Sequence, residues 1–200
     1  MQFYKFLFLG VILSALAFKT QTSKPLIARW VITKGCSLKV GGSTTINKFN
    51  CVIPEYARPD TLSFFRGASA IIFSGCIKLD VNNFDCHNSM MTKDLRKTLK
   101  SKDFPNLSIH FLSLSRYPVN GKNNGIVKGA VNIELAGITK RYDVDYRFIR
   151  HGKDSLTMVG TRQVNFSDFN IVPPRKIGGL IKTHNELNVE FILNVKILDR

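Results

Sequence analysis

Four histidines and four cysteines are the side chains in this 200-residue chain best suited to nucleophilic catalysis or metal binding. The histidines are scattered, and none belongs to the H-x-x-x-H or H-E-x-x-H pattern that places two metal ligands on one helix face. No G-x-S-x-G nucleophile elbow occurs, and no glycine-rich phosphate loop. The sequence therefore predicts no catalytic residue, no metal site and no enzymatic activity. The histidines are His87, His110, His151 and His184.

The cysteines favour disulfides over a metal site. They are separated by 14, 24 and 9 residues, so no paired C-x-x-C ligand pattern exists. Four cysteines allow three pairings, and their spacing does not choose among them. The cysteines are Cys36, Cys51, Cys76 and Cys86.

Two further features could carry chemistry. The run from Asp85 to Asn88 (DCHN) groups reactive side chains, but we interpret it as a strand end that leads into a helix. Arg162 falls on the apolar face of an alternating segment, where it could meet the anionic head of a ligand. The alternative is a bulge near Gly160 that turns Arg162 to solvent.

The N-terminus predicts export. Lys5 precedes an apolar stretch that is too short to span a bilayer, and Ala15-Leu16-Ala17 offers a cleavage site. We expect a signal peptide at 1–17, a linker at 18–26 and one domain at 27–200, located in the periplasm or secreted. Removing the signal peptide takes away one lysine and no acid, which lowers the net charge from +15 to +14. This excess favours an anionic membrane surface as a partner, and no nucleic-acid-binding motif appears.

Most of the chain alternates apolar and polar residues with period two, which indicates strands with one buried face. One segment, Ser89 to Lys100, instead has the spacing of a helix of about three turns that covers a barrel end or face. Residues 167–186 read as a long loop, which is often functional. The strands are expected at Ile27–Thr33, Cys36–Val40, Thr44–Ile53, Leu62–Arg66, Ile71–Val81, Leu107–Leu114, Ile126–Ala136, Lys140–Arg150, Ser155–Phe166 and Leu187–Ile197.

An all-β chain of this kind forms a sandwich or a closed barrel, and the sequential hairpins favour an up-and-down antiparallel barrel. Periodicity alone does not separate the two architectures. An eight-stranded barrel is wide enough to hold one small apolar ligand.

Several short segments form an ordered set along the chain. They are WVIT (30–33), SLKVGGSTTINKF (37–49), FDCHNSM (84–90), FPNLSIHF (104–111), GAVNIELAGITK (129–140), SDFNIVPP (167–174), GLIK (179–182) and NVEF (188–191). Their order and spacing resemble the YceI-like family of exported, lipocalin-like barrels. The resemblance covers the chain from about Trp30 to the C-terminus, although Asn170 stands where the family usually has Gly and Phe104 where it has Tyr.

This resemblance implies an antiparallel eight-stranded lipocalin-like barrel with one short helix and a cavity for an amphiphilic polyisoprenoid or similar lipid. No cofactor is implied other than such a bound lipid. The resemblance also implies the pairing Cys51–Cys86 with Cys36–Cys76. The residues expected to contact the ligand are Phe73, Phe111, Val131, Ile133, Tyr146, Phe148, Met158, Arg162 and Phe191.

Three functional hypotheses follow: a lipid carrier or sequestering protein, a structural or interaction barrel without a ligand, and an enzyme that acts on an isoprenoid or quinone-like substrate. A lumen filled completely by the protein's own side chains would contradict the first. The sequence leaves the oligomeric state open, a dimer included.

Overall fold

The computed structural model describes residues 25–56, 58–118 and 125–199. The predicted signal peptide and residues 18–24 of the predicted linker lie outside these ranges. The strands are β1 (Leu26–Ile32), β2 (Cys36–Thr44), β3 (Lys48–Tyr56), β4 (Thr61–Arg66), β5 (Ile71–Asp80), β6 (Asn106–Leu114), β7 (Val127–Leu135), β8 (Ile138–Arg150), β9 (Ser155–Asn165), β10 (Arg175–Lys176) and β11 (Ile181–Asp199). Within these ranges there is one α-helix, α1 (Ser89–Thr98), which lies between β5 and β6.

Eight strands close into an antiparallel barrel in the order β1-β4-β5-β6-β7-β8-β9-β11, with β11 pairing back onto β1. The predicted fold class, an all-β eight-stranded barrel with one short helix, is therefore confirmed. The barrel closes through the long strand β11. The C-terminal part of β11 pairs with β1, and its N-terminal part pairs with β2. The hairpin of β2 and β3 thereby extends the wall beyond β1 and β4 at one end.

Period-two alternation fills the barrel interior, because every second residue of each strand points inward. In β8, for example, Tyr142, Val144 and Tyr146 are buried while their neighbours are polar. The inward aromatic rings form one packed cluster in which Phe73 lies 4.6 Å from Phe64 and 4.5 Å from Phe111, measured between ring centroids. Trp30 closes this cluster at 4.3 Å from Phe64.

Helix α1 closes the other end of the lumen. Asn88 caps it by accepting a hydrogen bond from the Met91 backbone, so the cap lies one residue before the predicted Ser89. Leu95 of α1 and Leu99, the residue that follows the helix, are buried against the inner wall. The apolar i, i+4 spacing in the sequence thus predicted both the helix and its buried face.

The segment before α1 joins the helix to the barrel wall. Val52 of β3 and Asp85 form an isolated antiparallel bridge with two backbone hydrogen bonds of 2.7 and 2.8 Å. A disulfide joins Cys51 to Cys86 beside this bridge. The DCHN run is therefore a strand bridge, a disulfide and a helix cap, as the structural interpretation predicted.

The expected second disulfide, Cys36–Cys76, is wrong. Cys36 is fully buried on β2, and Cys76 is half-buried on the outer side of β5, and both are free thiols. These strands are not neighbours in the barrel order, and the two side chains project to opposite faces of the wall. A disulfide cannot cross a packed β-wall because its two Cα atoms must lie within about 7 Å.

The long loop expected at 167–186 is shorter than predicted. Residues Phe166–Phe169 form a 3₁₀ turn, and β10 pairs with the start of β11. Asn170, at the position where the family usually has Gly, adopts the left-handed conformation with φ 52°, which Asn tolerates better than most residues.

Candidate functional site

An apolar cavity of about 60 Å³ lies in the barrel between the inner wall and α1, and we call it the closed cavity because mostly buried side chains line it. No polar atom lines it. Leu38, Leu95, Leu99, Ile133 and Phe169 are among the residues that enclose it. A volume of this size holds one or two small groups, so the lumen as it stands has no room for a prenyl chain.

A larger apolar groove of about 370 Å³ opens to solvent beside this cavity. We call it the mouth. Its walls are the β2–β3 turn with Ile46 and Phe49, the start of α1 with Met90 and Met91, and the segment after β10 with Ile177. Its surface is predominantly apolar, and Leu95 lines both the mouth and the closed cavity. One leucine side chain thus separates the open groove from the lumen.

Three contacts hold the walls of the mouth in place. Lys176 forms an ion pair with Asp94 of α1, which ties the segment after β9 to the helix. The buried Thr92 hydroxyl accepts a hydrogen bond from the Cys86 backbone at 3.0 Å. Arg96 donates to the Phe84 carbonyl at 2.9 Å. Of these three contacts, the Lys176–Asp94 pair joins two different walls of the mouth, and both its side chains are partly exposed.

Most of the residues expected to contact ligand lie instead in the packed aromatic half of the barrel. Ile133 alone among them lines the closed cavity, and none lines the mouth. The apolar residues of this set point inward, as the alternation predicted. Those in the packed half, however, contact one another rather than an open space. Those in the packed half are Phe73, Phe111, Val131, Tyr146, Phe148, Met158 and Phe191.

Arg162 lies outside the lumen, with an exposed side chain. No bulge turns it outward, because the β9–β11 ladder keeps its register from Ser155 to Asn165. The β8–β9 ladder, however, ends at Asp145 and Thr161. Beyond that point the guanidinium reaches over the ring of Tyr142, 5.7 Å from its centroid, and borders an open polar depression of about 950 Å³.

Two buried tyrosines of β8 differ in their hydrogen bonds. The Tyr142 hydroxyl donates to Asp168 at 2.7 Å, and this bond holds the pKa of Asp168 below its ordinary value of 3.8. Burial, followed by this bond, raises the pKa of Tyr142. The Tyr146 hydroxyl is buried without a hydrogen-bond partner among the described residues, and burial alone raises its pKa. Both tyrosines are therefore neutral at physiological pH.

The outer wall brings Cys76, His110 and Glu134 together across three neighbouring strands. The Cys76 thiol lies 3.8 Å from His110 Nε2, and a Glu134 carboxylate oxygen lies 4.0 Å from the same nitrogen. A nucleophile relay needs the acid on the other ring nitrogen. Burial also raises the pKa of Cys76, which disfavours the reactive thiolate. This arrangement therefore lacks the geometry and protonation state of a cysteine nucleophile.

Among the described residues, no group of His, Cys, Asp and Glu side chains could hold a metal ion. Within the same residues, no helix has the length and apolar character needed to cross a membrane.

Sequence reasoning missed the residues around the open space. The mouth is assembled from three segments that are distant in sequence, and their apolar side chains carry no shared periodicity. Two signals did point there: the helix expected over a barrel end or face, and the irregular stretch at 167–186. The side chains that these signals did not single out are Leu38, Ile46, Phe49, Met90, Phe169 and Ile177.

The fold matches solved YceI proteins, as the sequence resemblance implied. A polyisoprenoid binding domain from Saccharophagus degradans, implicated in plant cell wall breakdown, is 10% identical with a TM-score of 0.60, covering 85% of this chain and 98% of that one. BcnA from Burkholderia cenocepacia is 14% identical with a TM-score of 0.56, covering 80% and 95%. The Campylobacter jejuni YceI protein is 13% identical with a TM-score of 0.51, covering 68% and 79%. No protein-family model and no curated protein sequence matches the chain.

Proposed function

We propose that this protein is an exported, YceI-like binding protein that takes up an amphiphilic polyisoprenoid or similar lipid through the mouth, for carriage or sequestration. The observation that carries the proposal is the continuity of apolar surface from the mouth through Leu95 to the closed cavity. One of the solved structures with this fold is described as a polyisoprenoid binding domain.

Uptake of a tail requires the lumen to enlarge at the α1 end. Leu95 of α1 lines both the mouth and the cavity, whereas the opposite half of the barrel is packed with aromatic rings. Displacing Leu95 would join the two spaces. The tail would be stabilised mainly by burial of its apolar surface, at about 25 cal/mol per Å².

Export is supported by two independent features. Residues 1–17 have the charge and apolar pattern of a signal peptide. The Cys51–Cys86 disulfide is of the kind that persists in oxidising compartments. We therefore assign the protein to the periplasm or the secreted fraction.

The direct test is native mass spectrometry and solvent extraction of purified protein, followed by titration with farnesol. Met91→Trp places a larger side chain in the wall of the mouth and should weaken farnesol binding by roughly tenfold or more. Lys97→Trp, on the exposed side of the same helix, should bind as the unaltered protein does. Absence of farnesol binding by the unaltered protein, or equal binding by both variants, would contradict the proposal.

A second function is favoured by one specific observation. The closest aromatic rings in one half of the barrel lie 4.3 to 4.6 Å from one another between centroids, and the apolar cavity in the barrel is about 60 Å³. A rigid barrel that presents its outer surface to another macromolecule has this property. It predicts purified protein without extractable lipid and no rise in thermal stability on adding farnesol.

A further inference from the structure

We infer that the rim of the mouth docks onto an anionic membrane surface. Among the described residues, ten large apolar side chains are exposed, and four of them surround this one groove. Ile46, Met90, Ile177 and Leu180 are 69, 69, 68 and 77% exposed. At least two thirds of the surface of each of these residues is therefore exposed to solvent.

The four side chains come from three separate parts of the fold. Ile46 lies at the tip of the β2–β3 turn, Met90 in the first turn of α1, and Ile177 after β10, and all three line the mouth. Leu180 is beside the hairpin tip, because its carbonyl accepts a hydrogen bond from the Thr45 hydroxyl at 3.3 Å. Independent chain segments thus bring their most exposed aliphatic residues to one rim.

The charge of the same segments complements an anionic surface. Residues 43–49, 88–94 and 170–183 carry five basic side chains and one acid, Asp94. Asp94 is already paired with Lys176 of the opposite wall. Across the whole chain the ratio of basic to acidic residues is only about two to one. The five basic residues are Lys48, Lys93, Arg175, Lys176 and Lys182. Lys176 lines the mouth, and Lys182 pairs with Arg175 in the β10–β11 ladder beside it. Lys48 and Lys93 border neighbouring depressions instead.

Protruding aliphatic side chains among lysines and arginines are the pattern of a protein that rests on the lipid headgroups. A protein partner would bind one continuous apolar face, whereas here the exposed apolar side chains surround an opening. On a bilayer, a lipid tail could pass into the mouth without crossing water. The biological meaning of this docking rests on the proposed function, but the docking itself is measurable without it.

The test is co-sedimentation with phosphatidylcholine vesicles, with and without phosphatidylglycerol, using the full mature chain. Binding should require the anionic lipid and weaken as salt is raised, by about fivefold for each cationic side chain whose contact is lost. The double variant Ile46→Asp, Leu180→Asp should reduce partitioning by roughly a hundredfold. Both positions are exposed, so the thermal unfolding midpoint should be unchanged.

The matched control is Ile126→Asp with Ile149→Asp. These aliphatic residues are 57 and 51% exposed, and they lie at the start of β7 and near the end of β8, away from the mouth. The control should sediment with vesicles as the unaltered chain does, apart from a small loss from its added charge. Equal loss in both double variants, or no vesicle binding by the unaltered chain, would overturn the inference.

Farnesol binding in detergent-free solution separates the two proposals. A chain that binds farnesol but not vesicles refutes docking and leaves lipid binding in place. A chain that docks through the rim and binds no farnesol supports docking and refutes lipid storage.

Discussion

Tyr146→Phe should stabilise the protein. The Tyr146 side chain is fully buried, and its hydroxyl has no hydrogen-bond partner in the part of the chain that the structure describes. An unpaired buried hydroxyl costs about 1–3 kcal/mol in the folded state. Removing it leaves a void of one oxygen atom, so the net gain should be about 1 kcal/mol. For a chain of this length that raises the thermal midpoint by about 2–4 °C.

Tyr142→Phe is the matched control, four residues earlier on the same strand. Its hydroxyl donates to the Asp168 carboxylate, and this substitution should lower stability by about 1 kcal/mol because Asp168 is partly exposed. Urea unfolding at neutral pH measures both changes, and the m value checks that the unfolded states are alike. Stabilisation by Tyr142→Phe, or destabilisation by Tyr146→Phe beyond about 1 kcal/mol, would refute the reasoning.

The pH dependence of the control provides a second check. The folded-state pKa of Asp168 lies below its ordinary value of 3.8, so the stabilisation is complete above that value and is lost as pH falls through the folded-state pKa. The difference between the unaltered protein and Tyr142→Phe should therefore shrink in acid. The difference for Tyr146→Phe should stay constant, because no acid contacts that hydroxyl.

Three more predictions concern the cysteines and one glycine. Thiol labelling of native, unreduced protein should modify the half-buried Cys76 on β5 quickly and the buried Cys36 on β2 only after unfolding. Finding no free thiol would instead support the two-disulfide scheme. Replacing both partners of the disulfide by Ser should lower the free energy of unfolding by at most about 4 kcal/mol, since the bond spans 35 residues, and chemical denaturation under oxidising conditions measures it. Gly160→Ala should destabilise the protein by about 1–3 kcal/mol, because the added methyl group meets the Phe191 ring. Its control is Gly152→Ala, where the methyl group points into open space and stability should be unchanged. Thermal unfolding of both variants measures the difference.

The open part of the site was only partly predictable. Period-two alternation identified the inward residues such as Phe73 and Tyr146 correctly. It could not tell a packed inward residue from one beside a space, because that depends on ring contacts between strands distant in sequence. The mouth needed α1 and two irregular segments to be placed together before its apolar lining existed.

The sequence by itself determined most of the strands, the helix, most of the inward faces and the antiparallel character, because these depend on neighbours within a few residues, but it placed the first residues of β11 in a loop. Closure of the barrel depended on which strands become neighbours. The same holds for the cysteines: the expected Cys51–Cys86 disulfide forms, whereas the Cys36–Cys76 disulfide expected with it does not. Arg162 shows the same division. The position of Arg162 in the alternation of β9 could be derived from the sequence. Its exposure follows from the point at which the β8–β9 ladder ends, and that point depends on how the two strands pair.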